Sequence, residues 1–385
     1  MDLTQSRRRW VVLLCTLLAH GSSCVFIYGI PSLLPQIRDE SGISLAHAGL
    51  VIAAPNLGVL LLLFAWGALA DRIGERVVLT IGMTTAGALL LVTTAANPIA
   101  GSGEIRALSF WSGFALLAGA AGACTFAASG RLVLGWFSPA ERGIAMGVRQ
   151  MAQPLGVAGG AILLPPTARA WGLWWALAVP GALCLLSALL IATLTFDPPR
   201  PQRTEDPAGK ALAASPYREA MLYRVHVASA FLVAPQFMIS GFSLAYLVAA
   251  RHWDPVAAGR VVFVGQILGA AGRIGAGWWT DVARSRLRPM RQLAAASAAI
   301  MLACALLDRA HSSAIIAALL IAAVITVADN GMSYTAVAER AGPFWAGRAL
   351  GVHNTIQNVV SVLAPVALGA LIGGWGYGAG FAITA

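Results

Sequence analysis

The sequence predicts an all-α membrane protein made of two look-alike helical bundles, and three observations carry that prediction. Apolar residues make up 58% of the 385-residue chain and charged residues only 11%, against roughly 25% charge in soluble domains; the mean hydropathy is +0.75. A glycine–acid motif occurs twice, each time at the exit of a long apolar stretch. The first copy is Gly67-Ala68-Leu69-Ala70-Asp71-Arg72-Ile73-Gly74-Glu75-Arg76, and the second is Gly277-Trp278-Trp279-Thr280-Asp281, followed by Arg284, Arg286 and Arg288. Upstream, Ala48-Gly49 stands at the same distance from Asp71 as Ala258-Gly259 does from Asp281. The third observation is a second repeat, in which Gly143-Ile144-Ala145-Met146-Gly147-Val148-Arg149-Gln150-Met151-Ala152-Gln153 aligns with Gly347-Arg348-Ala349-Leu350-Gly351-Val352-His353-Asn354-Thr355-Ile356-Gln357.

Taken in order, apolar runs long enough to span a bilayer begin near Trp10, Ala46, Val77, Ala107, Ile144, Ala170, Leu222, Ala257, Gln292, Ser312 and Gly347. Each offers the roughly twenty residues that a helix needs to cross. A twelfth run starts at Tyr377 and ends at Ala385, short of that length, so the sequence reads as eleven spans and a truncated last helix. The polar stretch from Asp197 to Tyr217 is rich in proline and charge and has no apolar face. It reads as a flexible linker, dividing the chain into an N-terminal six-helix bundle (1–196), a cytoplasmic linker (197–221) and a C-terminal bundle (222–385).

The net charge of +10 and a pI near 10.1 do not point to nucleic acid, because the basic residues fall in short loops between apolar runs. One set of alternate segments carries Arg7, Arg8 and Arg9; Arg72 and Arg76; Arg142; Arg200, Arg203, Lys210 and Arg218; Arg284, Arg286, Arg288 and Arg291; and Arg340 and Arg348. The intervening loops hold Arg38, Arg106, Arg169, Arg251, Arg260 and Arg309. The bias is about three to one, which places the N-terminus in the cytoplasm. Ser6-Arg7-Arg8-Arg9-Trp10 reads as part of a signal anchor and not as a cleaved export signal. The arginine- and alanine-rich composition points to a bacterial inner membrane. Cys15, Cys24, Cys124, Cys184 and Cys304 all lie in apolar runs with no metal or disulfide spacing, so they read as packing residues.

No segment matches the nucleotide-binding loop G-x-x-x-x-G-K-[ST], which argues against a pump driven by ATP within this chain. Nor is there a nucleophile elbow, a zinc-like histidine pair or a catalytic carboxylate pair, so an enzyme is not expected, and neither a cofactor nor a metal.

Together the motifs resemble those of the major facilitator superfamily over essentially the whole chain. Gly67, Asp71, Arg72, Gly74 and Arg76 satisfy that family's signature G-x-x-x-D-[RK]-x-G-x-[RK]; the second copy keeps Gly277 and Asp281 but carries Val282 in place of the arginine. Trp136-Phe137-Ser138-Pro139-Ala140-Glu141-Arg142-Gly143 resembles the family's loop between spans four and five. The resemblance implies two pseudo-symmetric bundles that move a small molecule by alternating access.

Physical chemistry assigns expectations to the residues. Gly67 and Gly277 let helices approach closely. Asp71 and Asp281 stand at helix ends, where they can take bonds from arginines and face the positive N-terminus of a neighbouring helix. Arg131, Glu141 and Arg142 extend such a gate network in the first half, and Arg284, Glu339 and Arg348 in the second. Arg149 reads as a further gate residue. The alternative is a static charged loop that only anchors topology.

Charges within spans are costly and need a reason. Arg273 lies one turn before Gly277; in family members that carry carboxylates an arginine in this span often binds the anion, and Gly272-Arg273-Ile274 resembles that arrangement. The alternatives are an internal ion pair with Asp329 or a gate contact. Gln153, Gln357 and Asn354 are candidates for substrate contact or for interhelical hydrogen bonds. Asn56 follows Pro55, where a proline kink can expose backbone to a cavity, and is a further candidate for substrate contact; the alternative is a simple helix bend. Asp329 and His353 are candidates for proton coupling, with His20 a further titratable group. The intramembrane arginines favour a small organic anion such as a carboxylate, taken up with protons by a monomer in the lipid bilayer. The alternatives are proton-coupled efflux of drugs or metabolites and a transporter-like sensor. Pro154, Gly156, Gly159 and Gly160 only approximate the antiporter element G-P-x-x-G-G.

Overall fold

In the computed structural model the chain folds almost wholly into α-helix. The structure describes residues 3–34, 36–37, 45–95, 104–199, 210 and 213–385. Arg38, Arg200 and Arg203, and about half of the expected linker, lie outside the described residues. The helices are α1 (Leu3–Ile27), α2 (Leu45–Ile73), α3 (Glu75–Ala95), α4 (Glu104–Gly122), α5 (Cys124–Trp136), α6 (Arg142–Gln150) and α7 (Ala152–Trp171). They continue with α8 (Ala178–Leu194), α9 (Ala220–Ala245), α10 (Pro255–Val282), α11 (Leu287–Arg309), α12 (Ile315–Ile325), α13 (Asp329–Ala341) and α14 (Ala346–Ile383).

Among the described residues, ten helices are long and apolar enough to cross a membrane. Two of these spans join consecutive α-helices: α4 with α5 forms Ser109–Trp136, and α12 with α13 forms Ile315–Ala341. The fifth apolar stretch is divided at Met151, where α6 gives way to α7. At the other end, α14 runs on past Tyr377 to Ile383, broken only at Gly376, whose φ of 81° is a backbone state open to glycine. Large apolar side chains such as Leu61, Ile162, Phe231, Val366 and Trp375 are exposed. In lipid that outward face is the favourable one, since only helices satisfy their own backbone there.

Local chemistry explains the element boundaries. Gly74 separates α2 from α3 with φ of 100°, which accounts for the second glycine of the signature motif. Asp254 starts α10 as an N-cap, its Oδ1 accepting the amides of Val256 (3.0 Å) and Ala257 (2.9 Å), with Pro255 in the first turn. Arg284, with φ of 47°, turns the chain after α10.

The helices form two compact units. The first comprises residues 1–136, 151–214 and 342–354; the second comprises 137–150, 215–341 and 355–385. The partition changes at Gln150/Met151 and at Asn354/Thr355, equivalent positions of the second sequence repeat. Unit 1 is held by small residues at helix crossings: Gly58 and Gly119 join α2 to α4, Gly87 and Gly181 join α3 to α8, and Gly29 and Gly160 join α1 to α7. At each of these a Cβ would strike the neighbouring helix, the close approach expected where lipid supplies no hydrophobic drive. Unit 2 repeats the device, with Gly265 and Gly269 of α10 against Ala323 of α12. All five cysteines are free and buried in these cores.

Candidate functional site

Two carboxylates each hold the start of a helix. In unit 1 the Asp71 side chain, sealed from solvent, accepts the amides of Gly347 (2.9 Å) and Arg348 (3.0 Å) at the beginning of α14. The first amides of a helix have no partner within it, and the helix dipole favours an anion there, so the carboxylate meets both needs. Gly67 and Gly347 make the approach possible, because a Cβ at Gly67 would fall on the Gly347 carbonyl and one at Gly347 on Gly67. Arg131 of α5 completes the cluster: its Nη1 reaches Glu75 at 2.6 Å and Asp71 at 3.4 Å, and its Nη2 donates to the Pro343 carbonyl at 2.6 Å.

Unit 2 contains the matching arrangement. Asp281 accepts the amides of Gly143 and Ile144 at the start of α6, both at 2.9 Å. A Cβ at Gly277 would strike the Gly143 carbonyl, and one at Gly143 the Gly277 carbonyl. The arginine is Arg286, which reaches Asp281 at 2.5 Å, Glu339 at 3.2 Å through Nε, Thr280 Oγ1 at 2.9 Å and the Pro139 carbonyl at 2.6 Å. Burial opposes its charge, but Glu339 and Asp281 outweigh that and raise its pKa above the ordinary arginine value. Arg142 adds a contact to Glu339 at 3.5 Å.

A buried polar cluster occupies the interior of unit 2. Arg273 (4% exposed) donates through Nη1 to the Gln150 carbonyl at 2.5 Å. Arg149 (1% exposed) donates to Gln150 Oε1 at 2.7 Å and lies over the Tyr334 ring at 5.9 Å. Tyr334 donates to Gln357 Oε1 at 2.9 Å, and Gln357 donates to Ser229 Oγ at 2.6 Å. Asp329 is buried beside Ser229, within electrostatic reach of Arg273. Gly147 makes the cluster compact: a side chain there would press on the Arg273 backbone, and the helix carrying Gly331 packs against it.

The other sequence candidates have separate surroundings. Asn56 donates to the Ile27 carbonyl (3.3 Å), and Asn354 to the carbonyls of Phe126 (3.1 Å) and Leu350 (2.9 Å), all in unit 1. His353 is buried in unit 1, and Gln153 is half-buried there. His20 Nδ1 lies 3.1 Å from Thr125 Oγ1. Arg72 and Arg284 are exposed. Arg76 binds the end of α8, its amide donating to Asp197 Oδ1 at 2.8 Å and its guanidinium to the Ala192 carbonyl. Glu141 accepts the Ser138 hydroxyl at 2.9 Å.

The reading of the residues did not single out Glu75, Arg286, Tyr334 and Ser229, and a signal existed for two of them. Glu75 lies inside the signature motif and Arg286 in the loop after its second copy. Tyr334 and Ser229 carry no periodic signal, because only tertiary packing brings them to Gln357. Among the described residues no three His, Cys, Asp or Glu side chains converge as a metal site.

The comparisons agree with this geometry. The Major Facilitator Superfamily model matches residues 14–365. The chain is 40% identical over 373 residues to the uncharacterized MFS-type transporter Rv2994 of Mycobacterium tuberculosis, covering 96% of this chain and 81% of the relative. It is 31% identical over 194 residues to the 4-hydroxybenzoate transporter PcaK of Pseudomonas putida, covering 48% of this chain and 40% of that protein. The crystal structure of the human organic anion transporter MFSD10 superposes with a TM-score of 0.71 at 18% identity, covering 100% of this chain and 97% of that one, a likeness of fold. The chain is a multi-pass membrane protein that belongs to the major facilitator superfamily of transporters.

Proposed function

We propose that this transporter moves a small organic anion, carboxylate in character, by alternating access, taking it up together with protons. One observation carries the reading: among the described residues, the interior of unit 2 holds two buried guanidinium groups, Arg149 and Arg273, and one buried carboxylate, Asp329. A charge kept inside a membrane protein is a functional-site hypothesis by default, and a guanidinium holds a carboxylate through two parallel bonds. The name of the PcaK relative, a carrier of 4-hydroxybenzoate, points the same way. In this reading Arg273 binds the anion, with Gln357 as a further contact.

Asp329 and His353 carry the coupled proton. Asp71 and Asp281, with Arg131, Arg286 and Glu339, form the gate on the cytoplasmic side of a bacterial inner membrane, the N-terminus lying on that side and the chain acting as a monomer.

Purified protein in proteoliposomes is offered labelled mono- and dicarboxylates under an imposed pH gradient. The reading predicts gradient-driven accumulation that is lost in Arg273→Ala and reduced in Arg273→Lys. Uptake that ignores the gradient counts against proton coupling, and a cationic drug bound better than any carboxylate favours efflux by proton exchange. Correctly inserted Asp71→Asn should lose counterflow; intact counterflow would make the motif a topological anchor only.

A further inference from the structure

Within unit 2 the short helix α6 is pinned to α10 at both ends. Its start is held by Asp281, through the amides of Gly143 and Ile144, and its last carbonyl, that of Gln150, accepts Arg273 Nη1 at 2.5 Å. The nine residues of α6 rise about 12 Å, as does α10 between Arg273 and Asp281. The two helices run antiparallel at close approach, since a Cβ at Gly143 would strike the Gly277 carbonyl and one at Gly147 the Arg273 carbonyl. An anion at the start of α6 and a cation at its end both suit the helix dipole.

Arg273 reaches that carbonyl where the chain itself cannot. A helical carbonyl is normally taken by the amide four residues on, which for Gln150 is Pro154, a residue without an N–H. The backbone is otherwise set for the bond, because Met151 has right-handed helical dihedrals, φ −67° and ψ −19°. Unit 1 supplies the comparison. There Leu63 stands where Arg273 stands relative to the motif acid, and a Cβ at Gly351 would approach the Leu63 carbonyl much as one at Gly147 approaches that of Arg273. The repeat position of Pro154 is Asn358, which keeps its amide. The missing amide and the arginine that replaces it thus occur together, in the same copy of the repeat. A nine-residue helix is marginal by itself and depends on what packs against it, so the grip at one end bears on the other. We propose that a substrate carboxylate and the Gln150 carbonyl compete for Arg273, so that anion binding releases the end of α6 and loosens the hold of Asp281 on its start. The anion site and the gate then share one lever, and Pro154 is what makes it movable. This inference rests on the reading of Arg273 as the anion contact.

The test joins calorimetry with hydrogen exchange on the purified full-length chain, with benzoate and succinate as probes. Wild type saturated with the tighter-binding acid should exchange the amides of Gly143 and Ile144 faster by about fivefold or more, the lower end of ordinary coupling between sites. The amides of Gly347 and Arg348 should stay as they were. Pro154→Ala gives the Gln150 carbonyl an amide from its own chain. That variant should bind the same acid about tenfold more tightly, since a charge-assisted hydrogen bond no longer competes, and its Gly143 and Ile144 amides should ignore the acid. An arginine that merely caps α6 predicts neither change. Exchange at Gly143 and Ile144 that bound acid leaves unmoved in wild type, or unaltered affinity in Pro154→Ala, would overturn the coupling while leaving the anion reading in place. If neither acid binds wild type, the anion reading fails and the coupling with it.

Discussion

The two acid clasps are alike in backbone and different in side chain. Asp71 in unit 1 and Asp281 in unit 2 each accept the first two amides of a repeat-equivalent segment, Gly347–Arg348 and Gly143–Ile144. In both, an arginine also donates to a proline carbonyl four residues before the captured glycine, Pro343 or Pro139. The source of that arginine differs. Arg131 comes from α5 and bridges to Glu75, which is wholly buried, whereas Arg286 comes from the loop just after Asp281 and pairs with the partly exposed Glu339. What the two units keep is the captured helix start, and the cation is supplied from whichever element reaches it.

That difference can be broken or sharpened by substitution. The largest loss of stability is expected for Arg131→Ala, which takes the 2.6 Å ion-pair partner from the wholly buried Glu75. It should cost on the order of 3–5 kcal/mol, the range for one partner removed from a buried pair. Denaturant or thermal unfolding in detergent reads it, and a loss below about 1 kcal/mol would show that Glu75 does not depend on Arg131. Gly67→Ala and Gly277→Ala come next. Each places a methyl on a facing backbone carbonyl, and crowding of this kind costs about 1–3 kcal/mol; the two values should be similar, since the approaches are reciprocal in both units.

Arg286→Ala is expected to be milder than Arg131→Ala, about 1–2 kcal/mol, because Asp281 keeps its two amides and Glu339 has access to water. Equal losses at the two arginines would erase the asymmetry argued above. The smallest effect belongs to Arg72→Ala. Despite its place in the signature motif, Arg72 is exposed, so stability should change by less than about 0.5 kcal/mol.

Much of this was legible in the sequence, and the limit has a physical cause. The equal spacing of Asp71 and Asp281 from their upstream pairs, and the alignment of Gly143 with Gly347, mark these acids and glycines as repeated features, while which glycines meet is settled only by the packing. Arg286 was harder to foresee. Val282 replaces the expected arginine, and the left-handed turn at Arg284 lets a residue five places on return to Asp281. The expected companions also sort differently: Arg142 joins Glu339, while the Arg348 amide joins Asp71. Arg273 drew notice as a charge within a span, yet its bond to the Gln150 carbonyl is a tertiary fact without a periodic signature. The division of the fifth stretch at Met151 was likewise hidden, since the apolar run continues through it.

The most direct test of the account is hydrogen exchange at four amides, those of Gly347, Arg348, Gly143 and Ile144. The carboxylates hold these groups, which have no partner in the first turn of their own helices. Asp71→Asn should accelerate exchange at Gly347 and Arg348 by tenfold or more, a loss of about 1.4 kcal/mol, and leave Gly143 and Ile144 as they were; Asp281→Asn should do the converse. Unchanged protection at the paired amides, or equal acceleration of both segments by either variant, would contradict the claim that each acid holds its own helix start.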